Sequence, residues 1–256
     1  MELAVPKAKI KEVEIPRVLI GTSPFLAAGQ FEKSHEYYYE FVLNPKNIVD
    51  ILAYCFKLGV IGVQLIAYDF LINSIIEASR ATRLKPIIVA SLSPEDPIGS
   101  LSQLQELDPS IVLLHAAQSE SMSSSEISDL LSNVKEKLNV VTGVALHNPI
   151  KSLPRILPIP EVEVVMVPLN YAGIFVKGKE EVIKMLREVK KPVIAKKVLG
   201  AGRLDVEKAL SWIFKQDIVK SVAIGVASKD EALRTFSKAI EILTKNDEPQ
   251  SSPTSS

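Results

Sequence analysis

The chain has 256 residues, 47% of them hydrophobic, and 30 Lys and Arg balance 30 Asp and Glu for a formal net charge of zero. That balance excludes a nucleic-acid or membrane binder that relies on a basic surface, and the apolar content excludes disorder over most of the length. No apolar run approaches the roughly 18 residues needed to span a bilayer, Met1-Glu2-Leu3-Ala4-Val5-Pro6 lacks a signal-peptide pattern, and the single Cys55 has no disulfide partner. The expectation is a soluble, cytoplasmic, globular protein whose partner is a small-molecule substrate, with no nucleic acid, no membrane and no metal motif.

Taken in chain order, Ala8-Lys9-Ile10-Lys11-Glu12-Val13-Glu14-Ile15 alternates polar and apolar residues, which predicts a short hairpin within residues 1–16. Strands follow at 18–21, 62–66, 86–92, 111–115, 140–144, 163–168, 193–197 and 221–225. They are nearly continuous apolar runs, as parallel strands covered on both faces require. Helical stripes lie between them. Ile48, Leu52, Cys55 and Phe56 share one face of a helix that stops at Gly59. Further stripes are Ile75, Ile76 and Ala78, then Leu101, Leu104 and Leu107, then Ile127, Leu130, Leu131 and Val134 behind Ser123-Ser124-Ser125. Pro149, Pro154, Pro158 and Pro160 keep the next helix short. Val182, Ile183 and Leu186 mark another, Asp205 opens one with Leu210, Trp212 and Ile213, and the last runs over about 229–243.

Eight strand–helix units predict a (β/α)8 TIM barrel, an α/β fold, as one domain over residues 1–244 with a hairpin floor and a disordered tail at 245–256. An open doubly wound sheet is the competitor. It would carry a glycine-rich phosphate turn after its first strand, but that turn reads Gly21-Thr22-Ser23-Pro24-Phe25-Leu26.

In such a barrel the ligand site forms where the strands end. The polar residues expected there are Gln64, Tyr68 and Asp69; Ser91; His115; His147 and Asn148; Asn170 and Tyr171; Lys196 and Lys197, with Arg203 beyond; and Gly225, Ser228 and Lys229. Of the adjacent lysines one faces the barrel interior and the other the helices; Lys197 is favoured as the inward one. A lysine there can hold an anionic group, act as a base or form a Schiff base. The aromatic stretch from Phe31 to Phe41, together with Phe25, lies in a long first loop over 22–44, read as a lid, a substrate wall or a subunit contact.

The order of these landmarks resembles the aldo-keto reductases. Val18-Leu19-Ile20-Gly21-Thr22, Val112-Leu113-Leu114-His115, Gly143-Val144-Ala145-Leu146-His147-Asn148-Pro149, Val167-Pro168-Leu169-Asn170-Tyr171 and the run from Pro192 to Leu204 carry the likeness, with Val222 to Ala232 as its last segment. The resemblance implies a carbonyl reductase using NADP. His115 would orient the substrate, Asn148, Asn170 and Tyr171 would hold the nicotinamide, and Gly225, Ser228, Lys229 and Arg203 would hold the cofactor's phosphates. The family's proton-donating set is altered. Gln64 stands in the Asp position, Asp69 in the Tyr position with Tyr68 one step away, and no lysine ends the third strand; Lys197 is the substitute from across the barrel. Two alternatives stay open: a cofactor-free, lysine-dependent lyase, aldolase or isomerase on a small anionic metabolite, and a catalytically inactive barrel with a binding role.

Overall fold

A computed structural model describes residues 3–247. Strands β1 (Lys7–Ile10) and β2 (Val13–Pro16) pair antiparallel, Ile10 opposite Val13, around a turn in which Lys11 is left-handed at φ 54°. Eight parallel strands follow: β3 (Val18–Gly21), β4 (Gly62–Ile66), β5 (Ile87–Ser91), β6 (Ile111–Leu114), β7 (Val141–Ala145), β8 (Val164–Pro168), β9 (Val193–Lys196) and β10 (Val219–Gly225). They pair in sequence order, and β10 closes on β3 through Val222–Val18 to Gly225–Gly21. The structure is a (β/α)8 barrel.

The continuous apolar character of the strands follows from this closure, because each strand has one face inside the barrel and one against the helices. Leu19, Val89, Leu113, Val164, Met166 and Ile194 point inward, and Ile10 and Ile15 of the hairpin join that cluster. The hairpin therefore plugs the end of the barrel at which the strands begin. Their neighbours Ile20, Val63, Ile88, Val112, Val165 and Ala195 face outward into the larger core under the helices. Gly143 is needed where β7 meets β8: a Cβ there would lie 2.1 Å from the Val164 carbonyl oxygen.

The outer layer is α1 (Ser34–Tyr37), α2 (Pro45–Lys57), α3 (Asp69–Thr82), α4 (Gly99–Gln105), α5 (Ala116–Ser121), α6 (Ser124–Leu138), α7 (Pro149–Ile156), α8 (Lys179–Val189), α9 (Val206–Ile213) and α10 (Lys229–Asp247). In α6 the Ser-rich start is a capping box. Ser123 Oγ accepts from Glu126 N, and Glu126 Oε2 accepts from Ser123 N at 2.7 Å, an arrangement worth about 1 kcal/mol. The proline-punctuated segment does fold as a short helix, α7, with Pro154 inside it.

Two expectations change. The first βα connection is not an open loop: it contains a 3-10 turn at Pro24–Leu26, then α1, then a π-helical turn at Tyr38–Val42. Phe25 and Phe41 meet edge to face at 5.1 Å and are fully buried, so aromatic packing folds this segment onto the barrel. The expected disordered tail starts at 245, but α10 continues to Asp247, past the last core residue, Leu243. The remainder of that expectation, 248–256, lies outside the described residues. Among the described residues no helix is long and apolar enough to cross a membrane.

Candidate active site

Strand periodicity decides which side chains meet. Alternate residues face the barrel axis, so the inward series Leu19–Gly21, Gly62–Gln64–Ile66, Val89–Ser91, Leu113–His115 and Ile194–Lys196 each end in a residue at the open rim. Gln64, Ser91, His115 and Lys196 accordingly line one cavity of about 270 Å3, joined by His147 two residues past β7. The cavity sits opposite the hairpin plug. Its wall has two halves. Gln64, Ser91, His115, His147 and Lys196 form a polar arc, whereas Gly21, Ala223, Ile224 and Gly225 form an arc of small and apolar residues. Leu26, Phe31 and Tyr37 from the first connection also line it, so part of the aromatic segment walls the cavity. Tyr38 and Tyr39 point away and are exposed.

The polar arc is held by specific bonds. His115 caps α5, its Nδ1 accepting from Ala117 N at 3.2 Å. A neutral imidazole with Nδ1 as acceptor carries its proton on Nε2. Burial first, and the charge of Lys196 second, push His115 down to about 4, with Glu120 opposing, so the ring is neutral at pH 7. The His147 ring stands edge-on to His115 at 5.9 Å. His147 is an exposed residue overall, yet desolvation of its ring and the charges of Lys196 and Lys197 hold it well below the usual histidine range. Glu120 Oε1 accepts from both His147 N and Asn148 N, fixing the chain as it leaves β7. Nothing in the sequence around Glu120 marks this role; it follows from α5 packing against β7.

The orientation of the lysines reverses the expectation. Lys196, not Lys197, continues the inward series of β9, and its Nζ lies 3.4 Å from His147 Nδ1. Burial and then the neighbouring Lys197 lower it from 10.5 to about 7. Lys197 also reaches the cavity, because at φ 56° it adopts a left-handed conformation that breaks the alternation. Its Nζ rests over the Phe175 ring, 4.8 Å from the centroid. The Ser91 hydroxyl is buried in the wall without a hydrogen-bond partner, and Gln64 Nε2 donates to Leu65 O at 3.0 Å.

Of the other residues expected at the site, only Gly225 lines the cavity. Tyr68 and Asp69 begin α3 at the rim; Tyr68 stacks on Phe70, and burial and Glu95 raise its pKa, which makes it a poor acid there. Asn148 precedes α7 outside the cavity. Asn170 is fully buried and used internally: Nδ2 donates to Ile174 O at 2.8 Å and Lys197 O at 3.2 Å, and Oδ1 accepts from Ile174 N. Tyr171 turns away beside it, its carbonyl accepting from Lys179 Nζ. Ser228 Oγ accepts from Glu231 N and Lys229 is exposed at the start of α10. Arg203 donates to Gln30 O at 3.1 Å and pairs with Glu32. It thereby ties the segment after β9 to the first connection and does not line the cavity.

Solved structures with this architecture cover almost the whole chain. A protein from Pseudomonas aeruginosa assigned to the aldo-keto reductases superposes with a TM-score of 0.69 at 17% identity, covering 94% of this chain and 98% of its own. The fold is that of the aldo-keto reductases. The holo form of an aldo-keto reductase from Bacillus halodurans gives 0.69 at 13% identity, with 95% and 96% covered. One from Klebsiella pneumoniae, in complex with NADP and acetate, gives 0.67 at 16% identity, with 98% and 97% covered. Neither a family model nor a curated protein matches the sequence. Within the aldo-keto reductase fold this chain thus places a lysine, Lys196, at the end of its seventh barrel strand, and two histidines beside it.

Proposed function

We propose that the protein is an oxidoreductase of the aldo-keto reductase type that reduces a small carbonyl compound with a nicotinamide dinucleotide, and that Lys196 is its proton donor. The observation that carries this reading is the inward Lys196 ammonium. It has no carboxylate partner among the described residues, stands 3.4 Å from His147, and shares a cavity with His115.

The wall fits the cofactor at its ring end. The arc of Gly21, Ala223, Ile224 and Gly225 is small and apolar, suited to packing against an aromatic ring. The Val198–Gly202 backbone, with Gly200 and Gly202 both left-handed, would hold the phosphates. Bound there, the reduced nicotinamide supplies a hydride to the carbonyl carbon.

The chain's own residues handle the oxygen. His115 Nε2–H is free to donate a hydrogen bond to it, since Nδ1 is taken by Ala117 N. The Lys196 ammonium gives up its proton as negative charge gathers on that oxygen, and a group near neutrality is suited to this at pH 7. Phe31, Tyr37 and Leu26 exclude water. A tyrosine donor is not needed: Tyr37, the one tyrosine lining the cavity, is pushed up by burial and by Glu231. Fluorescence titration with NADH and NADPH, followed by absorbance at the nicotinamide band with a panel of short aldehydes and ketones, tests the proposal. Binding with carbonyl-dependent oxidation supports it, and no binding of either nucleotide removes it.

The same lowered amine supports a second reading. A lysine that is partly neutral at pH 7 is a nucleophile toward carbonyls, so Lys196 would form a Schiff base in a lyase or aldolase. Borohydride trapping located on Lys196 by mass spectrometry favours that reading, and an untrapped lysine in a turning-over enzyme favours reduction.

A further inference from the structure

Adjacent residues on a strand face opposite sides of a sheet, yet Lys196 and Lys197 both line the cavity. The device responsible is local. Lys197 sits at φ 56°, a conformation that non-glycine residues adopt rarely and at a cost. It is locked there from both sides. Its carbonyl accepts from Gly200 N at 2.9 Å and from the fully buried Asn170 Nδ2 at 3.2 Å. Phe175, itself left-handed at φ 62°, places its ring under the ammonium.

The result is two lysines lining one partly desolvated cavity, close enough for the charge of Lys197 to act on Lys196. Each lacks a carboxylate partner among the described residues. Glu120, the acid that acts on both, is already accepting from the His147 and Asn148 amides. Strained backbone spent on juxtaposing like charges is unfavourable for the protein alone, and the penalty is relieved when an anion enters. A donor also waits nearby: Ser91 Oγ, 1% exposed on a wall strand, has no partner.

We infer that the substrate is itself anionic, a small 2-oxo carboxylate whose carboxylate is held by Lys197 while its carbonyl oxygen meets Lys196 and His115. A carboxylate next to the carbonyl suits two amines on consecutive residues, and a cavity of about 270 Å3 suits a short chain. Asn170 is then a positioning residue, acting through the backbone of Lys197. The carbonyl half of this inference rests on the reductase reading; the anion half does not.

The experiment is calorimetric titration with oxamate, a non-reacting 2-oxo acid analogue, without nucleotide, so that failure of nicotinamide binding leaves the result intact. Binding to the wild type, at least about tenfold weaker in Lys197→Gln and retained in Lys197→Arg, is the expected outcome for a charge-assisted contact. Circular dichroism establishes that each variant is folded. Asn170→Ala should weaken oxamate binding while leaving the affinity for neutral acetone unchanged, a split that a purely structural loss would not give. Equal binding of oxamate and acetone, or unchanged affinity in Lys197→Gln, would overturn the inference. Inorganic phosphate displacing oxamate at lower concentration than oxamate's own would overturn the carboxylate assignment.

Discussion

Lys196 Nζ and His147 Nδ1 lie 3.4 Å apart across the rim of the barrel, bridging over β8 from β9 to the end of β7. Burial and the charge of Lys196 lower the affinity of His147 for a proton, while burial and Lys197 lower that of Lys196. The neutral His147 ring can accept from the Lys196 ammonium, which orients the proton donor without neutralising it.

Replacing Lys196 by Met should therefore remove the donor and keep the fold. Carbonyl reduction is expected to fall by roughly 10²- to 10⁴-fold, the usual contribution of a general acid. Nucleotide affinity should stay near the wild-type value in the fluorescence titration.

The same variant makes a stability prediction with a definite sign. The unfolded chain binds a proton on Lys196 up to 10.5, but the folded chain only up to about 7. Between those values the unfolded state holds more protons, so this group costs stability at neutral pH and the cost fades as pH rises. Lys196→Met should melt at a higher temperature than the wild type at pH 7 and lose that advantage by about pH 10.5. Calorimetric Tm measured at several pH values checks it.

The histidines act at the acid end. His115 titrates near 4 in the fold against 6.5 in the unfolded chain, and His147 shifts the same way. As pH falls below 6.5 the unfolded state takes up protons that the folded state refuses, so stability drops until about pH 4. His115→Asn, which can still cap α5, should flatten this dependence in urea unfolding curves; an unchanged slope would show that these rings are not the cause.

Most of the barrel is legible in the sequence because parallel strands covered on both faces read as unbroken apolar runs, as at Ile111-Val112-Leu113-Leu114 and Val164-Val165-Met166-Val167. His115 and Gln64 were legible too, since a polar residue within or just after such a run has a predictable direction. The lysine pair was not. Alternation offered two answers, and the left-handed Lys197 supplies a third in which both enter, set by a hydrogen bond from Asn170, 27 residues away. Asn170, Ser228 and Arg203 had the right chemistry for a cofactor, but their bonds go to the protein's own backbone and carboxylates, and Tyr171 lies outside the cavity. Glu120 gave no signal because its partners are main-chain amides, which no side-chain pattern encodes.

The close packing of β7 on β8 gives a test of the scaffold itself. Gly143→Ala would force a Cβ to 2.1 Å from Val164 O, backbone that cannot yield. Overpacking at such a point costs about 1–3 kcal/mol or more. A clear loss of Tm or of soluble yield is expected, whereas Gly202→Ala meets no atom but keeps the φ of +85°, and should cost much less than Gly143→Ala.

The pH dependence of kcat/KM for carbonyl reduction by the wild-type protein bears most directly on Lys196 as proton donor. With Lys196 as donor, kcat/KM is expected to fall tenfold per pH unit above a limb near 7, and the limb to be absent from the residual activity of Lys196→Met. A profile that stays flat to pH 9, or a limb that survives in the variant, would contradict that role.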